Sequence, residues 1–183
     1  MNERNLGILT NEQAHYLLKL PKKMVHEKEV LDDFIMNQVF PFRKRFELVS
    51  PDDDEFVFLW EINQSAKDIV RISLHVQDND SKIGLFRVDF NSGHKNPETK
   101  TDSLPERFYP YVGKEFTKDE HHVHYHVEGY KSLAWAIPII NDEFEIKSIE
   151  DDKNINYNLI NVITLFAKTI NIETKISINP LLL

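Results

Sequence analysis

The strongest constraint on the fold is a period-two alternation of apolar and polar residues that starts at Phe42 and runs, with short interruptions, to Asn91. Successive side chains of an extended strand point to opposite faces, so such alternation marks a sheet with one buried and one open face. The segments FRKRFELV, FVFLWEINQ, IVRISLHVQ and IGLFRVDFN all follow this rule. The acidic stretch at residues 51–55 joins the first two, and Asp78, Asn79, Asp80 and Ser81 join the last two with the residue chemistry of a tight turn. Four sequential strands with short connections predict an antiparallel meander.

Helical signals flank the meander. Thr10 and Gln13 have capping-box spacing, Ala14, Leu17 and Leu18 share a face, and Pro21 ends the helix they predict. A second helix is expected over Lys28 to Gln38, with Leu31, Phe34 and Ile35 as its stripe. Residues 92–119, with Gly93, Pro97, Pro105, Pro110 and Gly113, read as a long loop crossing one end of the sheet. HHVHYHVE and SLAWAIPII return to strand, with Pro138 marking an edge or a strand end, before an acidic connection over 141–152. Leu159, Ile163, Phe166 and Ile170 predict an amphipathic helix closed by Asn171, and Ile172, Thr174, Ile176 and Ile178 a last strand.

The expectation is one α+β domain over 1–183: a helical N-terminal segment at 1–40, a twisted antiparallel sheet at 42–140, and a C-terminal helix and strand at 155–179. The helices should pack on one face of the sheet. A length of 183 residues suits one domain, for which about 100–200 is usual. No stretch is apolar enough to span a bilayer, and the first residues lack the layout of a secretory signal, which predicts a cytoplasmic protein without membrane contact. The absence of cysteine excludes disulfides, thiolate catalysis and cysteine-ligated zinc. The net charge of −8 disfavours duplex DNA as a partner, because phosphate-backbone affinity comes from lysine and arginine, but leaves room for a local basic surface. The one basic triplet, Arg43-Lys44-Arg45, is split between the two faces by alternation.

Chemistry concentrates on the polar face. Val70, Ile72, Leu74 and Val76 form one row, which leaves Arg71 and His75 on the other side; Phe86, Val88 and Phe90 likewise leave Arg87, Asp89 and Asn91. The same parity puts His122, His124 and His126 together, and His94 would arrive from the loop. Such a face suits two chemistries. Imidazoles of His94, His122 or His124 can act as acid and base on a ribose hydroxyl and a leaving oxygen, with Arg87 stabilising phosphate charge, Asp89 beside it, and Arg71, His75, Asn91 and His126 holding the substrate. This scheme needs no cofactor. Alternatively, His122 and His124 present two imidazoles on one side, which suits zinc, nickel or iron with Asp89 or Glu120 as third ligand. An ordinary solvated sheet face, without chemistry, has the same pattern.

The stretch RISLHVQDNDSKIGLFRVDFNSGHKNPE followed by EHHVHYHVEGYKSLAWAIPI resembles an uncharacterised family of small bacterial proteins often encoded in prophages or mobile islands. That resemblance covers most of the chain and implies a shared fold without an assigned activity. Arg87, Asp89, Asn91, His94, Pro97, His121, His122 and His124 also give a shorter likeness to TumE-type toxins of toxin–antitoxin modules, which implies an RNA-acting toxin beside a cognate antitoxin. The expected function is therefore a toxin-like protein acting on RNA as a metal-independent ribonuclease. The contrasting expectation is a non-enzymatic antitoxin or phage-encoded inhibitor whose acidic surface docks a basic partner.

Overall fold

The computed structural model describes residues 9–149 and 155–180; residues 1–8 of the expected helical segment and 150–152 of the acidic connection lie outside them. Helix α1 (Asn11–Lys19) begins at Thr10, whose hydroxyl accepts from the Gln13 amide while the Gln13 side chain accepts from the Thr10 amide, the reciprocal cap the spacing predicts. Three short strands follow, β1 (Lys23–His26), β2 (Glu29–Leu31) and β3 (Asp33–Asn37). The meander is β4 (Arg43–Val49), β5 (Val57–Gln64), β6 (Ile72–Asp78) and β7 (Gly84–Phe90), each antiparallel to the next. The long loop contributes the two-residue pair β8 (His94–Lys95) and β9 (Glu115–Phe116), with a 3-10 turn at Glu106–Tyr111 between them. Strands β10 (His122–Tyr125) and β11 (Trp135–Pro138), helix α2 (Ile155–Thr169) and strand β12 (Lys175–Asn179) complete the chain.

Eight strands form one sheet in the order β11-β10-β7-β6-β5-β4-β1-β2, and β12 pairs in parallel with β3 apart from it. The protein is thus α+β, with a mostly antiparallel sheet. Both helices cover the apolar face: Phe58, Trp60, Ile62, Ile72, Leu74, Val76, Phe86, Val88 and Val123 are buried with Leu17 and Leu18 of α1 and Leu159, Val162, Ile163 and Phe166 of α2. Phe166 stacks on Trp60 and Phe86, at 6.2 and 5.5 Å between ring centroids. Asn171 closes α2 in the left-handed conformation (φ 59°) that a C-terminal asparagine favours.

The helix expected over Lys28 to Gln38 is not formed, and the sheet reaches back to residue 23 instead of starting at 42. Glu27 and Lys28 both take positive φ (49° and 71°), the backbone of a two-residue hairpin turn, and return the chain on β1. Neither residue is the glycine or asparagine that usually announces such a turn. The partner that extends residues 33–37 is β12, far away in sequence, so local periodicity carries no trace of it.

On the opposite face, two cross-strand rows run side by side. One passes Arg43, Asn63, Ser73, Asp89 and His122, and the other Arg45, Glu61, His75, Arg87 and His124. The long loop folds over the β10 and β11 end of these rows. Buried Asn96 receives the Ala136 amide on Oδ1 (2.8 Å) and donates Nδ2 to the carbonyls of Ala136 and Tyr111 (both 2.9 Å), as a missing strand would.

Candidate functional site

The loop converts an open sheet face into a buried pocket. Phe116 lies over His122 with ring centroids 4.7 Å apart, and Asp89, His122 and His124 are almost wholly buried. The register β7–β10 sets His122 opposite Asp89 and His124 opposite Arg87, the neighbourhood that strand parity predicts.

Backbone carbonyls fix both rings. His122 Nδ1 is 2.8 Å from the Glu120 carbonyl and His124 Nδ1 is 2.9 Å from the Leu133 carbonyl. A carbonyl only accepts, so each Nδ1 carries the proton, and each Nε2 of a neutral ring is a lone pair. Both lone pairs point at the same carboxylate oxygen: Asp89 Oδ2 is 3.1 Å from His124 Nε2 and 3.6 Å from His122 Nε2. Among the described residues, His122 Nε2 is buried without a hydrogen-bond partner. Burial pushes His124 down to about 4, which keeps that ring neutral at physiological pH. Burial works against the charge of Asp89, but the Arg87 guanidinium beside it helps hold the carboxyl well below the usual range. Arg87 grips this carboxylate with two arms: Nε donates to Oδ1 at 2.8 Å and the other arm reaches Oδ2.

His94 completes the cluster from the loop. Its ring centroid is 4.5 Å from His124 and 5.7 Å from His122, and its Nε2 donates to Asn96 Oδ1 and the Ala134 carbonyl at 3.1 and 3.0 Å. Its Nδ1 is therefore the lone-pair nitrogen. Burial lowers the pKa of this ring as well. His94 and His124 line an open cavity of about 650 Å³ with Arg87, Lys95, Lys131 and Ser132, which connects the cluster to solvent.

Arg71 and His75 line a second, neighbouring cleft with Arg43, Ser73, Ser92 and Arg87. His75 sits 3.1 Å from Glu61 and from Gln77, and burial lowers its pKa despite the Glu61 charge. Three expected site residues are elsewhere. His126 follows the last residue of β10, and its ring turns away to donate to the Leu9 carbonyl at 2.7 Å, on the side of the sheet that α1 covers. Asn91 lies just past β7 at positive φ (52°) and spends its amide on the carbonyls of Val70 and Ile149. Glu120 gives its carboxylate to Lys114 Nζ (2.6 Å) and the Thr117 amide (3.0 Å), so Asp89 alone fits the role of third ligand. His121 packs on Phe90 and its Nδ1 accepts the Asn91 amide.

Sequence reasoning passed over Asn96 and the Leu133 carbonyl, and read Arg43 only as part of a basic triplet split between the faces. Arg43 had a further signal, since alternation puts it on the face of Arg87; Asn96 acts through its side-chain amide on the backbone of a distant strand and Leu133 through its carbonyl, and no residue pattern encodes either.

No helix among the described residues is long and apolar enough to cross a membrane. Neither the curated proteins nor the solved structures contain a match to the chain. A family described as of unknown function, DUF6978, matches residues 9–172, nearly the whole length. The fold and the histidine-rich face thus belong to a member of that uncharacterised family.

Proposed function

We propose that the protein is a metal-dependent enzyme whose divalent transition-metal ion is held by Asp89, His122 and His124. The observation that carries this reading is the convergence of two imidazole lone pairs on one carboxylate oxygen in a buried pocket. Lone pairs facing a carboxylate repel each other unless a cation lies between them. Zinc bonds of about 2.0–2.2 Å in tetrahedral geometry put ligand atoms roughly 3.4 Å apart; the two nitrogen–oxygen separations, 3.1 and 3.6 Å, bracket that value. The outer contacts fit too, since histidine ligands characteristically donate their second nitrogen to a carbonyl, and a ligating carboxylate is itself hydrogen-bonded, here by Arg87.

Two nitrogens and one carboxylate leave coordination positions free, the pattern of catalytic rather than structural sites. The ion would supply Lewis acidity, and His94, neutral and facing the open cavity, would move a proton. The metal-free scheme expected from the sequence asks His122 and His124 to exchange protons with substrate. Their burial and their bonds to carbonyls favour ligation over that role.

The test is metal content after incubation with zinc, cobalt, iron(II) or manganese and removal of excess, for wild type and for Asp89→Asn and His124→Ala with folding checked by circular dichroism. Stoichiometric metal in wild type and none in the folded variants supports the reading. Wild type that retains none of the four ions overturns it, and would turn attention to the docking-protein alternative.

A further inference from the structure

The face beside the cluster has a charge that runs against the rest of the chain. The protein carries a net charge of −8, yet the cleft next to Asp89 is lined by Arg43, Arg71 and Arg87 with His75, Ser73 and Ser92, and by no carboxylate among the described residues. The three arginines come from three different strands: Arg43 opens β4, Arg71 immediately precedes β6, and Arg87 is central in β7.

Two of these guanidinium groups have capacity to spare. Arg71 is exposed, and its side chain makes no hydrogen bond or ion pair among the described residues. Arg43 makes one long bond, 3.5 Å, to the Gln64 carbonyl. The acids of the two cross-strand rows are engaged elsewhere: Glu61 is paired with Arg45 and His75, and Asp89 with Arg87. Arg87 connects the two regions, because its guanidinium is only partly exposed and lines both the cleft and the cavity that reaches His94 and His124.

We infer that this cleft binds the phosphate group of a phosphate ester and delivers it to the neighbouring Asp89–His122–His124 cluster. The inference rests on the metal reading for the direction in which the phosphate is presented. Asp89 is already matched by Arg87, so the charge of a divalent ion held there would stay uncancelled and attract an anion. Arginine forks match phosphate oxygens in bidentate geometry, and the cross-strand row from Arg43 through Asn63 and Ser73 to Asp89 leads from the cleft to the ion's ligands. The phosphate can come from a small ester or from the backbone of a single RNA strand, and the two differ in how binding grows with length.

The experiment titrates inorganic phosphate, adenosine monophosphate and a labelled ten-nucleotide single-stranded RNA into full-length protein, zinc-loaded and chelated. The comparison variant is Arg43→Ala/Arg71→Ala, which touches none of the proposed metal ligands. Saturable binding that weakens about tenfold or more in the variant, with a shallower salt dependence and unchanged zinc content, is the expected result. RNA binding much tighter than the nucleotide assigns the site to a strand; equal binding assigns it to a small ester. No saturable binding of any probe by zinc-loaded wild type, or equal binding by the variant, overturns the inference while leaving the metal reading intact. Arginine-dependent binding by a protein that holds no metal keeps the anion site and removes the metal reading.

Discussion

His122 Nε2 faces Asp89 Oδ2 at 3.6 Å across the β7–β10 ladder, while Nδ1 of the same ring is committed to the Glu120 carbonyl. His124 Nε2 approaches the same oxygen at 3.1 Å with its own proton committed to Leu133. A pocket built this way is electrostatically unfinished, and its behaviour on addition of metal is its most direct readout.

Metal should stabilise the wild type in a way that Asp89→Asn abolishes. At a free ion concentration about a hundred times Kd, ligand linkage adds about 2.7 kcal/mol, which for a chain of this length is roughly 5–10 °C in Tm. The asparagine amide can donate to an imidazole lone pair but forfeits the ion pair with Arg87, so the metal-free variant should melt below metal-free wild type. Differential scanning calorimetry with zinc and with chelator measures both. A metal-independent Tm in wild type contradicts the prediction.

Arg87 and Asp89 should be strongly coupled. Arg87→Ala leaves a buried carboxylate without its bidentate partner, a loss on the order of 3–5 kcal/mol, whereas Arg87→Ala made on Asp89→Asn should cost far less. Urea denaturation of the four metal-free proteins gives the cycle. Equal costs of Arg87→Ala in both backgrounds would show that Arg87 acts by packing and not through the Asp89 charge.

The rows that assemble this site were readable because strand parity is rigid: once the chain is extended, Arg87 and Asp89 must share a face, as must His122 and His124. The same rule misplaces Asn91 and His126 because each lies one residue beyond a strand end, where parity no longer binds the side chain. What closes the pocket was hidden for a different reason. Asn96 acts as a substitute strand partner for Ala136, and Leu133 acts through its carbonyl, so the identity of neither side chain announces its role to a reader of pattern. The β1–β2 hairpin and the β3–β12 pair were missed because a Glu-Lys turn and a distant partner leave no local signal.

Lys22 should give the protein a pH dependence unrelated to the histidines. It is fully buried between the ends of α1 and α2, with Nζ donating to the carbonyls of Leu18, Leu20 and Ile170 at 3.0, 2.8 and 3.0 Å, and burial lowers its pKa to about 7 from the usual 10.5. Between those values the unfolded chain binds the proton that the folded one has released, so stability rises with pH from about 7 to 10.5. Below pH 7 both states are protonated and the full cost of burying the charge is present. The rise should be about 2–4 kcal/mol, since the three carbonyls partly hold the charged form. Lys22→Met should remove it and, by leaving those carbonyls unpaired, lower stability at pH 7 by about 3 kcal/mol. Urea titrations at pH 7 and 9.5 on both proteins measure the difference; identical pH slopes would contradict the assignment.

Gly84 should matter to metal binding although it lies outside the cluster. A Cβ there would meet Leu133 Cδ1 at 2.5 Å, Leu133 Cγ at 2.6 Å and Ser132 Oγ at 2.8 Å. Leu133 is itself nearly buried and held at positive φ (53°), so it cannot simply swing aside. Its carbonyl is the acceptor that sets the His124 tautomer and aims Nε2 at Asp89. Gly84→Ala should therefore cost about 1–3 kcal/mol by overpacking, and weaken metal affinity by roughly 10- to 100-fold as outer-shell changes do. Ser132→Ala, which removes only the hydroxyl that accepts the Gly84 amide at 2.6 Å, should lower stability with a smaller effect on affinity. Competition with a chromogenic chelator reads affinity and thermal melts read stability. A Gly84→Ala protein that loses stability but binds metal as tightly as wild type would show that the Leu133 carbonyl is not what orients His124.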